Sequence, residues 1–267
     1  MVKSQMPVRA VLVPVVLCFS AFGARQGTSR GLRNQQCKCI VFHHVPKSGG
    51  LSVSAELDYM LGKCFSLYSK MHNVPPPEGY PCYVGHWTPA MPTKCCRMTV
   101  LRDPIQRAES ALFFHGHVSS RSQISAILGD KNCNPATGCY KFEYNNDYTR
   151  FFSTLVWDHF SPEYVAENMF NVTDEDMLLA ELQLQKMDLV CFLRNIDWCL
   201  EQVFDMMQIP VRSHRKIQHR NANARNVGVS TEVLSTLHAA NKYDMQLFTF
   251  AAKHWKKSYG GTNHAAL

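Results

Sequence analysis

The segment from Cys39 to Leu61 constrains the fold more than any other. Cys39-Ile-Val-Phe-His-His-Val45 is a short run rich in β-branched and aromatic residues, closed by Pro-Lys-Ser-Gly-Gly. Leu51 to Leu61 then carries apolar residues at helical spacing. A buried strand that turns through a glycine-rich loop into a helix is one half of a parallel βα unit. The order recurs at Arg97-Met-Thr-Val-Leu101, where Asp103 can cap a helix that has Pro104 at its first position and runs to about His115. Asp188-Leu-Val-Cys-Phe-Leu193 is a third buried strand, followed by an amphipathic helix from about Ile196 to Met207. Thr173 and Asp176 have capping-box spacing ahead of Met177, Ala180, Leu184 and Met187, and another helix fits Thr231 to Trp255. Strands alternating with helices predict an α/β fold with a central, mostly parallel sheet covered on both faces, whose ligand site lies at the carboxyl ends of the strands. Ser119 to Phe170 is the least regular stretch, and no internal repeat is visible.

With 267 residues, 46% hydrophobic and 18% charged, the chain can bury one substantial core, which excludes disordered, collagenous and low-complexity classes. The net charge of +7 suits a polyanionic partner without naming it. Eleven cysteines point to an oxidising compartment. The N-terminus agrees: Lys3 and Arg9 precede the apolar run Ala10 to Ala24, which ends in small residues as a secretory signal does. At fifteen residues, with Pro14 inside, the run is shorter than the roughly 20 that cross a bilayer comfortably. A cleaved signal peptide and an uncleaved single-pass signal anchor both remain open. The expected organisation is therefore a targeting segment over 1–24, a polar basic stem over 25–36 and a lumenal domain over 37–267, with Asn171 in the sequon Asn171-Val-Thr173 open to glycosylation.

The loop His44-Val-Pro-Lys-Ser-Gly-Gly-Leu-Ser52 offers backbone N–H groups, the positive end of a helix and the mobile charge of Lys47 to an anion. It is not a Walker A loop, in which lysine follows the second glycine; here Lys47 precedes Gly49 and Gly50. A second anion-ready junction is Val100-Leu-Arg-Asp-Pro-Ile-Gln-Arg-Ala-Glu-Ser110, where Arg102 at a strand end and Ser110 on the following helix can converge on one phosphate.

Residues 44–52 resemble the His-x-Pro-Lys-Ser/Thr-Gly-Gly-Thr-Ser/Thr loop of the Golgi carbohydrate sulfotransferases, in particular the heparan sulfate 2-O- and 6-O-sulfotransferases. Residues 100–110 are similar to that family's 3′-phosphate segment, Leu-Arg-Asp/Asn-Pro-x-x-Arg-x-x-Ser. The resemblance implies a P-loop NTPase-like three-layer fold and 3′-phosphoadenosine 5′-phosphosulfate (PAPS) as co-substrate, with no metal required. It assigns Lys47, Ser48, Gly49, Gly50, Leu51 and Ser52 to the 5′-phosphosulfate and Arg102 with Ser110 to the 3′-phosphate. Leu51 departs from the family's threonine, so Ser48 and Ser52 would have to supply the hydroxyl contacts.

Between the two segments, Tyr83-Val-Gly-His-Trp-Thr88 resembles the segment that carries the family's proposed base, which makes His86 the expected catalytic base beside Lys47. A histidine suits the task because its ordinary pKa near 6.5 lets it take a hydroxyl proton at neutral pH. Asn145-Asn-Asp-Tyr-Thr-Arg150 looks like the family's acceptor-edge element, which implicates Asn146 and Arg150 in substrate contact. Met187 to Glu201 and Asn241 to Phe248 are similar to its late strand–helix unit and its C-terminal helix.

Arg212 to Arg225 holds five basic residues and no acidic one, so Arg215, Lys216 and Arg220 are candidate contacts to an anionic glycan or to the donor. No aromatic lies in that stretch, which speaks against a base-stacking nucleic-acid surface. Strand alternation sets Cys37, Cys39 and His43 on one face and His44 on the other, against a four-ligand metal site and in favour of disulfides. Cys133 and Cys139 bracket a turn-rich loop, and Cys95 and Cys96 are expected to take two different partners. The functional expectation is a lumenal PAPS-dependent O-sulfotransferase acting on a carbohydrate, glycosaminoglycan-like hydroxyl, in the Golgi or secreted. A P-loop nucleotide kinase, with Asp103 imitating the magnesium carboxylate, and a catalytically silent glycan-binding protein on the same fold are the alternatives.

Overall fold

The structure is a computed structural model that describes residues 37–66, 77–85, 95–114, 145–153, 172–210 and 231–259. The first strand, β1 (Cys39–His43), is buried along its whole length, and α1 (Gly50–Leu61) follows it. Then come β2 (Phe65–Ser66), β3 (Cys82–Gly85), β4 (Cys95–Leu101) and α2 (Pro104–Phe114). The rest comprises α3 (Asp147–Ser153), α4 (Asp174–Gln185), β5 (Leu189–Phe192), α5 (Ile196–Met207), α6 (Thr231–Ala240), α7 (Lys242–His254) and α8 (Lys256–Tyr259). The five strands among the described residues form one sheet in the order β2-β3-β1-β4-β5, and each adjacent pair is parallel. This is the α/β layered architecture that the sequence pattern predicts.

Side-chain alternation divides the core between the two faces. Ile40, Phe42, Met98, Val100, Leu189 and Cys191 meet Val53 and Leu57 of α1 and Cys199, Leu200 and Val203 of α5 on one side. Leu101, Val190 and Phe192 meet α3, α4 and α7 on the other, through Tyr148, Phe151, Ala180, Leu184, Leu247 and Phe248. Because Leu57 is fully buried between sheet and helix, its truncation to alanine costs about 2–5 kcal/mol. The predicted capping box at α4 is present in both directions: Thr173 Oγ1 accepts from the Asp176 amide at 3.3 Å, and Asp176 Oδ2 accepts from the Thr173 amide at 2.8 Å.

Three local readings are corrected. The helix expected over Thr231 to Trp255 is two helices, broken at Asn241. Strand β3 lies in a segment read only for its histidine; at four residues it is too short for its periodicity to stand out. Cys37 precedes β1 and packs with Ile40 and Phe42, whereas Cys39 packs with Val41 and Tyr83, so the two cysteines do not share a face.

Four disulfides join described residues: Cys37–Cys96, Cys39–Cys95, Cys64–Cys82 and Cys191–Cys199. Cys95 and Cys96 take different partners, as expected, because consecutive residues of β4 point to opposite faces. These crosslinks fit an oxidising compartment of the secretory pathway or the extracellular space. Among the described residues no helix is long and apolar enough to cross a membrane. The targeting segment, the stem, Asn171, Cys133 and Cys139 lie outside the described residues.

Candidate functional site

Strand order locates the site. From β1 the chain moves toward β3 and β2, whereas from β4 it moves toward β5, so right-handed crossovers carry the helices after these neighbouring strands to opposite faces. The carboxyl ends of β1 and β4 therefore flank a topological switch point, the position at which open parallel sheets hold ligands. The two anion-ready loops, 44–49 and 102–103, are the segments that leave those strand ends.

The first loop is shaped by backbone sterics. Lys47 has φ +64° and Gly49 φ +85°, both left-handed, while Ser48 between them does not. Left-handed residues of this kind occur in anion-binding turns, and here the Ser48 amide itself donates to the Val45 carbonyl at 3.4 Å. A left-handed lysine costs roughly 1–2 kcal/mol, which the surrounding packing must offset. Gly50, the first residue of α1, lies directly on the His44 ring: a Cβ there would stand 1.6 Å from His44 Cδ2. The histidine is 5% exposed, its amide donates to the Gly85 carbonyl at 2.8 Å, and its ring stacks on Phe42. His44 is thus the floor that lets α1 begin close against the sheet, with the Gly50 and Leu51 amides at the open end of the helix.

Lys47 is half-buried, and its Nζ lies 3.5 Å from the centroid of the Phe114 ring at the end of α2. Leu51 and Phe114 are both exposed, so an apolar rim borders the charged loop. Ser52 is half-buried in the first turn of α1. The Ser48 hydroxyl behaves differently from the expectation: it is buried, 2.8 Å from the Tyr148 hydroxyl, and turned inward.

Arg102 follows β4 and reaches back, its Nη1 3.5 Å from the Lys47 carbonyl oxygen. The side chain is half-buried, and among the described residues its buried Nε has no hydrogen-bond partner and no carboxylate forms an ion pair with it. Burial lowers its pKa from the ordinary value, with Tyr148, Glu109 and Asp103 partly offsetting that. An arginine left this way beside a helix start is poised for an anion supplied from outside. Ser110 is half-buried two turns into α2. Asp103 acts as a cap, its Oδ1 accepting from the amides of Ile105 at 3.1 Å and Gln106 at 3.0 Å.

Behind these loops is a buried polar network that sequence reasoning did not anticipate. Arg107, with no exposed surface, donates from Nη1 to Asp147 Oδ2 at 2.8 Å and has Nη2 3.9 Å from Asp244. Asp244 accepts from the Tyr148 and Thr149 amides, capping α3, while Asn146 Oδ1 accepts from the Tyr243 and Asp244 amides, capping α7. Asn241 Oδ1 completes the exchange by accepting from the Asn146 amide. Asn146 and Arg150 are therefore interior residues, 7% and 4% exposed, and Arg150 Nη1 donates to the Asn145 carbonyl. Burial pulls the Arg150 pKa down to about 10. Their signal was the Asn-Asn-Asp-Tyr-Thr-Arg segment itself, but the partners that turn it inward lie some 95 residues further along the chain.

His86 follows Gly85, the last residue of β3, which pairs in register with His43. His86 itself, Arg215, Lys216 and Arg220 lie outside the described residues. The one described group of potential metal-ligand atoms, Asp58 with Cys64 and Cys82, is explained by the Cys64–Cys82 disulfide and by Asp58 accepting from the Cys64 amide.

No family model matches the chain, and no curated protein matches it at a significant level.

Proposed function

We propose that this chain is a sulfotransferase that moves the sulfuryl group of PAPS to a hydroxyl of a carbohydrate, an anionic glycosaminoglycan-like acceptor in the Golgi lumen. The observation that supports the reading is the convergence of two anion-ready junctions at one switch point, with Arg102 half-buried, without an ion-paired carboxylate among the described residues and 3.5 Å from the Lys47 carbonyl. Two phosphate positions on separate strand ends suit a nucleotide with phosphates on both sides of its ribose. The donor fits the residues present: Lys47, the Gly50 and Leu51 amides and Ser52 would face the 5′ side, and Arg102 with Ser110 the 3′ side. The use of Asp103 as a helix cap favours this reading over a magnesium-dependent kinase.

In the reaction a bond forms between the acceptor oxygen and sulfur as the bond from sulfur to the bridging phosphate oxygen breaks. The acceptor proton goes to a base, which the sequence resemblance assigns to His86. The leaving oxygen keeps the electron pair, and Lys47 and the loop amides offset its charge. Calorimetry with adenosine 3′,5′-bisphosphate in the presence of EDTA tests the donor site, and labelled PAPS with a panel of desulfated glycans tests transfer. Magnesium-independent binding and transfer to at least one glycan are expected, with turnover lost in Lys47→Ala and reduced ~10²-fold in His86→Ala while donor binding survives in the latter. Preference for magnesium-ATP over the bisphosphate would overturn the reading.

A further inference from the structure

Tyr148 has no exposed surface, and its hydroxyl lies where the two loops meet. It accepts from the Arg102 amide at 2.8 Å, donates to the Arg102 carbonyl at 2.9 Å and contacts Ser48 Oγ at 2.8 Å. A phenol has one proton and two lone pairs. With the proton given to the Arg102 carbonyl, the Ser48 hydroxyl must be the donor in its pair, and all three capacities of the phenol are filled. The ring cannot follow a loop that moves away. Its own amide is held by Asp244 at 2.9 Å, and the Arg107 guanidinium lies 5.2 Å from its centroid. A single hydroxyl on a rigid mount therefore ties the loop after β1 to the loop after β4.

We propose that Tyr148 is a positioning residue that sets the spacing between the two anion-binding loops, so that both phosphates of one nucleotide are held at once. This rests on the donor reading above. Separately, each loop would still hold a single phosphate; what Tyr148 supplies is their simultaneous engagement. Ser48 then acts as the link from the first loop to Tyr148, and its hydroxyl is spent there.

The test uses the full lumenal chain with its disulfides intact and the variant Tyr148→Phe, which keeps the ring and removes only the hydroxyl. Calorimetry compares adenosine 3′,5′-bisphosphate with adenosine 5′-monophosphate and adenosine 3′-monophosphate. The bisphosphate should lose about tenfold or more in affinity while each monophosphate loses less than about threefold, since a bound anion needs only its own loop. Ser48→Ala, on a different element and without effect on the Tyr148 ring, should reproduce the selective loss if Tyr148→Phe folds poorly. The double variant should be no worse than Tyr148→Phe alone, because both changes cut one link. Equal losses for all three nucleotides, or an unchanged ratio in both variants, would overturn the proposal and leave Tyr148 a packing residue. Failure of the unmodified protein to bind any of the three would overturn the donor reading, and the positioning role with it.

Discussion

Replacing Gly50 by alanine tests the geometry of the anion loop most directly. The new Cβ would stand 1.6 Å from His44 Cδ2, 1.9 Å from Nε2 and 2.4 Å from Cγ, whereas carbon contacts settle near 3.5–4.0 Å. Relief therefore needs a relative shift of about 2 Å between ring and helix. The ring has little room to supply it, being stacked on buried Phe42 and anchored through its backbone to Gly85. The start of α1 must lift instead, at the usual overpacking cost of about 1–3 kcal/mol. In a domain of this size that lowers Tm by about 2–12 °C. The same lift displaces the loop amides, so bisphosphate affinity should fall with stability. In a His44→Ala background the obstruction is gone, and alanine at a helical first position should be neutral or stabilising by about 0.4–1 kcal/mol through the unfolded chain. Urea unfolding of the four proteins, followed by tryptophan fluorescence with the disulfides intact, gives the coupling, which should reach about 2 kcal/mol. Additive effects of the two substitutions would refute the argument that His44 is the floor under the helix start.

Two further outcomes follow from buried charges. Arg107→Leu should cost about 3–5 kcal/mol because Asp147 and Asp244 lose their ion-pair partner, and adding Asp147→Asn, which removes the charge nearest the lost guanidinium, should recover part of that loss in the same urea titration. Burial, aided by the nearby Arg97 charge, pushes the His43 pKa down to about 4, and its Nε2 has no hydrogen-bond partner among the described residues. The unfolded chain therefore takes up this proton at a higher pH than the folded one: stability is fully present above about pH 6.5 and is lost as the pH falls toward 4. Unfolding free energy should drop by about 2 kcal/mol between pH 7 and pH 5 on account of this residue, and His43→Leu should flatten that slope. An unchanged slope would show that other groups set the acid sensitivity.

Much of this molecule is local enough to be legible in its residues. The strand–loop–helix unit at Cys39 to Leu61, the Asp103 cap, the Thr173–Asp176 box and the buried runs of β4 and β5 each depend on neighbours within a few positions. Side-chain period and capping chemistry act over that range, so pattern alone identifies these elements and, through their alternation, the parallel sheet. It also marks Lys47 and Arg102 as residues at strand ends. What pattern does not carry is which distant group each residue meets. Asn146 and Arg150 look like polar residues free for an acceptor until Asn241 and Asp244 arrive from the far end of the chain and turn the segment inward. Ser48 looks like a phosphate ligand until Tyr148, a hundred residues away, takes its hydroxyl. The disulfide partners likewise follow from strand neighbours that only the sheet order creates, Cys39 facing Cys95 across β1 and β4. A buried polar group must be satisfied by whatever lies beside it, and in an α/β sheet that neighbour is chosen by the crossovers rather than by the adjoining sequence.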